Sequence, residues 1–213
     1  MKKENSIRID ESKLHPYLKY LMHKGIKECN KKGIYIIITE GYRTVKYQDE
    51  LYAKGRTKKG NIVTNAKGKD YQSQHQWGIA FDIAINGTNK ELYDNTLMTK
   101  ASKCFKKVGL DWGGDWVSPV DKPHYYLGKW GDTTTKLKKK FGTPKNFKKY
   151  WTRTLKKKTK LYKRRSMKAS KVLKKIPKGK KVKVLWYSKL GYAKVKYGDK
   201  YGFVYRKNFE KVK

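Results

Sequence analysis

"SQHQWGIAFDIAI", residues 73–85, decides how the first half of the chain folds. From Trp77 to Ile85 it is rich in Trp, Ile and Phe, the composition of a buried strand. A helix is the alternative, because two helical turns would put His75 and Asp82, seven residues apart, on one face. On a straight strand that odd separation puts them on opposite faces. The strand reading therefore moves His75 into the turn before the strand, with Gly78 permitting the bend. Asp82 stands between Phe81 and Ile83, and a buried carboxylate without a partner is costly. The stretch thus predicts a partner for Asp82.

The flanking sequence predicts the rest of a small sheet with helices. Leu14, Leu18, Leu21, Met22 and Ile26 recur at helical spacing over 12–31, with Ser12 as cap and Gly33 as stop. "IYIIIT", 34–39, reads as a buried strand, and "TVKYQDELYAKG", 44–55, as a helix ending at Gly55. Residues 56–72 read as a loop, 89–107 as a helix and "PHYYLG", 123–128, as a short strand. The fold class is α+β with a small antiparallel sheet.

A metal ion is one partner for Asp82. With His75 it needs one further ligand, and the candidates are His15, His23 and His124. His15 and His23 lie two turns apart in the first helix and read as surface or rim residues. His124 opens the strand at 123–128, which a sheet can bring beside Asp82. Two imidazoles and one carboxylate leave a tetrahedral position open, the pattern of catalytic zinc. Cys29 and Cys104 have neither a C-x-x-C neighbour nor a nearby His, so they read as buried thiols, with a disulfide between them left open.

Ser73-x-His75-x-x-Gly78-x-Ala80-x-Asp82 resembles the S-x-H-x-x-G-x-A-x-D signature of the D-alanyl-D-alanine carboxypeptidase-like zinc peptidases. These include VanY- and VanX-like enzymes and the L-alanyl-D-glutamate endopeptidases of phage endolysins. "GYRTVKYQDELYAKGRT", "LDWGGDW" and "DKPHY" are similar to further family segments, in the same order, so the likeness spans residues 12–128. The resemblance implies zinc bound by His75, Asp82 and His124, with Asp121 as catalytic carboxylate and Arg43 as active-site arginine. It places Gln48 and Ser73 at the substrate site and Trp116 at its rim. A zinc ion there would acidify a water molecule and polarise the scissile carbonyl, and a carboxylate beside it would carry the proton. Asp121-Lys122-Pro123-His124 is similar to the endolysin branch rather than to the E-x-x-H of the carboxypeptidases. It implies cleavage between L-alanine and D-glutamate, with a D,D-carboxypeptidase as the alternative. Tyr125 stands where that branch has Phe, and Lys69-Asp70 where a small residue is usual.

Charge divides the chain. Residues 1–135 hold 24 basic and 15 acidic residues, residues 136–213 hold 31 and 2. This predicts a peptidase domain over 1–135, a basic linker over 136–153 and a second domain over 154–213. In the last, short alternating runs ("KVLKKI", "KKVKVLWYS", "GYAKVKYG") broken by turn residues predict a small all-β barrel. That segment resembles a bacterial SH3-like domain, with Tyr192 in place of the usual Trp, which implies wall binding. The net charge of +38 predicts a polyanionic partner: nucleic acid, an anionic membrane or a wall polymer such as teichoic acid. Only 7 of the 55 basic residues are Arg, and no nucleic-acid signature is present, which argues against specific nucleic-acid binding. The N-terminus lacks the apolar run of a secretory signal, and no run reaches membrane-spanning length. The expectation is a monomeric zinc peptidoglycan hydrolase made in the bacterial cytoplasm and released by a holin-type pore. The rival is a non-catalytic polyanion- or wall-binding protein.

Overall fold

The computed structural model describes residues 4–128, 134–166, 170–188 and 190–212. The chain packs as two compact units, Met1–Pro144 and Lys145–Lys213.

The first unit is built on a five-stranded sheet. In chain order its strands are β1 (Ser6–Ile7), β2 (Ile36–Glu40), β3 (Ala80–Ile85), β4 (Asp111–Trp112) and β5 (His124–Tyr126). The order across the sheet is β1-β2-β3-β5-β4, with β1 parallel to β2 and the other pairs antiparallel. Helices α1 (Pro16–Asn30), α2 (Val45–Ala53) and α3 (Asn95–Val108) complete it. Strand β3 is buried along its length, as its composition predicts, with Asp82 alone only partly buried. Phe81 and Ile83 are fully buried, and Phe81 packs against Phe105 of α3 and Tyr125 of β5. Asp82 points to the other face.

The helix predicted from Ser12 starts at Pro16. Its cap is His15, whose Nδ1 accepts the Tyr17 amide at 3.1 Å, and Pro16 takes the first helical position, where a missing N–H costs nothing. His15 is 2 % exposed, not the rim residue expected, whereas His23 sits half-exposed beside Glu11. The helix predicted over 89–107 likewise starts late, where Asp94 Oδ1 accepts the Leu97 amide. Cys29 and Cys104 are buried free thiols. The expected linker contains α4 (Thr134–Phe141) and α5 (Pro144–Lys148), because Leu137 and Phe141, one turn apart, and then Phe147 are buried. Among the described residues no helix is long and apolar enough to cross a membrane.

The second unit is one six-stranded sheet. Its strands are β6 (Thr152–Thr154), β7 (Thr159–Tyr162), β8 (Val172–Ile176), β9 (Lys181–Tyr187), β10 (Tyr192–Tyr197) and β11 (Lys200–Tyr205). Leu155, Leu161, Ile176, Val182, Val184, Val195, Val204 and Phe209 form its core. The order is β6-β9-β10-β11-β7-β8, and among the described residues no ladder joins β8 back to β6. The predicted all-β unit is present, but the strand pairing does not close a barrel. Charged residues stand along both end strands, Arg153 on β6 and Lys174 and Lys175 on β8, as on sheet edges that resist further pairing.

Candidate metal centre and active site

The sheet register assembles the site. Asp82 on β3 lies directly opposite His124 on β5, so their side chains share a face. His75 comes from the short 3-10 turn Gln74–Trp77 that precedes β3, as the odd spacing predicts. Gly78 ends that turn at φ 64°, a left-handed conformation that a side chain disfavours. His75 Nε2, Asp82 Oδ1 and His124 Nδ1 converge within 4.8 Å of one another. The separations are 3.2 Å between the two imidazoles, 3.0 Å from His124 to Asp82 and 3.3 Å from His75 to Asp82. Both histidines are buried.

The opposite ring nitrogens show why this set fits a metal. His75 Nδ1 lies 2.6 Å from the Gly41 carbonyl, and His124 Nε2 lies 2.6 Å from Gln74 Oε1. A carbonyl oxygen only accepts, so each of those nitrogens carries the proton and donates. Each remaining nitrogen then offers a lone pair toward Asp82. Three acceptor atoms this close repel unless a proton or a cation stands between them. Two neutral imidazoles and a carboxylate, held from behind by acceptors, make a three-ligand zinc site with room for a fourth. Burial raises the Asp82 pKa, but the electrostatic influence of His75 and His124 outweighs it and holds the carboxyl well below the ordinary value.

Arg43 holds the outer oxygen of Asp82, its Nη2 donating to Oδ2 at 3.0 Å, and its Nε lies 3.4 Å from Glu40 Oε2. Asp121 sits before Pro123 at the mouth of β5. Its amide donates to the Gly113 carbonyl at 3.0 Å. A Cβ on Gly113 would come within 2.5 Å of the Asp121 carbonyl oxygen, so the "GGDW" glycine permits this approach. Burial, and then the Asp82 charge, push the Asp121 carboxyl above the ordinary value. A carboxyl held so, beside the ligand set, is suited to accept and return a proton. Trp116 leans on His124 with ring centroids 5.1 Å apart, and its indole N–H donates to the Tyr126 hydroxyl at 3.1 Å. These groups open into a cleft of about 790 Å³ that Thr64, Asn65, Gln72 and Tyr93 also line.

Of the eight residues expected at the site, six line this cleft: Arg43, His75, Asp82, Trp116, Asp121 and His124. Gln48 and Ser73 stand one layer behind it. Gln48 is fully buried, and its amide donates to the Ala66 carbonyl at 3.0 Å and to Thr64, holding the loop that forms one wall. Ser73 caps the 3-10 turn, its amide donating to Gln76 Oε1. Gln74 is the functional residue that the sequence reading missed. It falls at a position the signature leaves free, and its contact with His124 forms only when β5 pairs with β3.

Comparison with known proteins adds four findings. Residues 66–127 match a family model described as D-alanyl-D-alanine carboxypeptidase. The chain is 41% identical over 123 residues to the peptidoglycan L-alanyl-D-glutamate endopeptidase CwlK of Bacillus subtilis, a match covering 53% of this chain and 72% of that protein. Among solved structures, the Serratia marcescens L-Ala D-Glu endopeptidase ChiX matches at 18% identity and TM-score 0.43, over 55% of this chain and 82% of that one. The vancomycin-resistance D,D-pentapeptidase VanY, solved with Zn(II), matches at 20% identity and TM-score 0.41, over 54% and 72%.

Proposed function

This chain belongs to the D-alanyl-D-alanine carboxypeptidase family of zinc peptidases, and we propose that within it the chain is a peptidoglycan L-alanyl-D-glutamate endopeptidase. The identity to CwlK carries that choice of bond. The Asp121-x-Pro123-His124 element at the cleft supports it.

Zinc, when held by His75, Asp82 and His124, supplies Lewis acidity toward a water molecule and the scissile carbonyl. Asp121 takes the proton of the attacking water and delivers it to the leaving amine of D-glutamate. Arg43 fixes Asp82 with Nη2, while its Nη1 donates to Gln48 Oε1 at 3.4 Å and its Nε faces Glu40, and its side chain lines the cleft. There it meets the charge that develops on the carbonyl oxygen. Trp116 closes one side of the His124 ring against solvent.

The basic second unit, read as an SH3-like wall-binding module, keeps the enzyme on its polymer and raises local substrate concentration. An endolysin-type role after holin-type release is the cellular setting we attach to this reading. Lysis of cells that express the protein without a holin would remove it.

The enzymatic reading is tested on purified peptidoglycan with wild-type and His124→Ala protein, with and without chelator, by mass spectrometry of the new termini. New N-terminal D-glutamate, abolished by chelator and by the substitution, is the expected result. Free D-alanine would assign the D,D-carboxypeptidase reaction instead. Intact walls after treatment with zinc-loaded protein would leave only the binding function.

A further inference from the structure

The outer face of the second unit's sheet is built from lysines and aromatic rings, and the strand register shows how. On β10, Lys194 pairs with Phe203 of β11 and with Trp186 of β9, and Lys196 pairs with Tyr201 of β11 and with Lys183 of β9. These side chains point away from the core, into which Val184, Val195 and Val204 project. Lys183 and Lys196 are therefore directly opposed. On the neighbouring strands Lys160 is directly opposed to Lys175. Like charges at opposed positions of a sheet destabilise it. The unit's acids are far too few to balance its basic charge, because residues 145–213 hold 27 basic residues and only Asp199 and Glu210 as acids.

The rings beneath are already covered. Lys194 Nζ lies 5.1 Å from the centre of the Phe203 ring, Lys196 Nζ 5.4 Å from that of Tyr201, and the Arg165 guanidinium 5.9 Å from that of Trp186. Cations rather than bare ring faces are thus the outermost layer. A single-stranded nucleic acid binds by stacking its bases on open aromatic faces, and this surface offers few. Lysine heads are point charges that follow singly charged phosphates without the paired geometry that arginine favours.

We propose that the β9–β10–β11 face binds a polyol-phosphate polymer, a chain of phosphodiesters without bases, with Lys183, Lys194 and Lys196 as its principal contacts. The proposal deepens the wall-binding part of the proposed function and rests on it for the choice of polymer. Binding relieves the repulsion between opposed lysines, so the face is best occupied by anions regularly spaced along a chain.

The test uses the full chain with chelator present and no peptide substrate, so its outcome is independent of the peptidase reading. Affinity for purified poly(glycerol phosphate) is measured against salt for wild type, Lys183→Gln/Lys196→Gln, and Lys156→Gln/Lys157→Gln, an equal charge loss in the same unit but off these strands. The face variant is expected to bind at least tenfold more weakly, with its salt slope reduced by roughly 1 to 2. The off-face variant stays within about threefold by the same electrostatic reasoning. Because the face substitution removes an opposed like-charge pair, its thermal unfolding is expected at or above the wild-type temperature. Equal losses in both variants would overturn the proposal in favour of diffuse charge. Tighter binding of a single-stranded oligodeoxynucleotide with the same number of phosphates would overturn it in favour of nucleic acid.

Discussion

The two units treat charge in opposite ways. In the first, acids offset about half of the basic residues and ion pairs form: Arg43 on Asp82, partly buried, and Lys106 on Asp115 and Lys107 on Glu28 at the surface. At its centre a carboxylate and two imidazoles are packed so closely that they need a cation. In the second, lysines are many, exposed and opposed to one another, so they need anions. The difference teaches how a single sequence obtains both selectivity and reach. Buried polar groups act at one geometry, because each atom needs its own partner. Exposed lysines act over a surface, are screened by salt and tolerate many arrangements.

The largest effect that would sharpen this contrast is on Asp121. Asp121→Asn is expected to lower kcat by about 10²- to 10⁴-fold, the usual range for a positioned acid–base group. Zinc content and polymer affinity should stay as in wild type, because Asp121 is not among the three converging ligands. Loss of zinc in this variant, measured by metal analysis, would show that Asp121 supports the metal rather than the proton.

Next comes Gln74. Its carbonyl oxygen fixes the His124 tautomer, so Gln74→Leu is expected to weaken zinc binding by about 10- to 100-fold. Gln74→Glu restores an acceptor and should recover most of that affinity. Competition with a chelator of known affinity measures both. An unchanged affinity in the leucine variant would show that the Gly41 contact to His75 is enough to orient the pair.

A third experiment compares the units directly. Cleavage of whole walls should fall steeply with added salt, whereas cleavage of a short soluble stem peptide should change little. Equal salt dependence on both substrates would break the division of labour. It would put the salt-sensitive step in the cleft.

The same contrast explains what could be read from sequence. The convergence of His75, Asp82 and His124 was legible through the family resemblance, because the residues alone left His15, His23 and His124 open as the third partner. His75 and Asp82 are held in one short segment, and the odd spacing already forced His75 off the strand. The strand–turn–strand character of the second unit was legible because its valines alternate with lysines over β9 and β10. What stayed hidden depends on contacts between distant segments. Gln48 and Ser73 look like substrate residues in sequence, but burial turns them into supports for the loop and the turn. Gln74 gains its role only when β5 pairs with β3. The helix starts were misplaced for a local reason: Pro16 after His15 and Asp94 before Asn95 are start signals, and the apolar periodicity outweighed them. Closure of the sheet into a barrel is likewise set by long-range pairing.

The smallest effect tests the buried charge logic away from the metal. His15 caps α1, its amide donates to the Gly78 carbonyl at 2.8 Å, and burial depresses its pKa to about 3. Its Nδ1 must stay unprotonated to accept the Tyr17 amide. In the unfolded chain His15 titrates near the ordinary value of 6.5, so between about 6.5 and 3 the unfolded state binds a proton that the folded state refuses. The contribution is fully present above pH 6.5 and is lost as pH falls toward 3. At most it gives a slope of about 1.4 kcal/mol per pH unit. Asn also serves as an N-cap but does not titrate, so His15→Asn should flatten the stability curve over that window. Denaturant unfolding of the first unit at pH 7, 5 and 4, compared with wild type under the same chelator, measures the difference. Parallel curves for the two proteins would mean that His15 is protonated in the folded state. The cap would then have to be the neighbouring backbone rather than the ring.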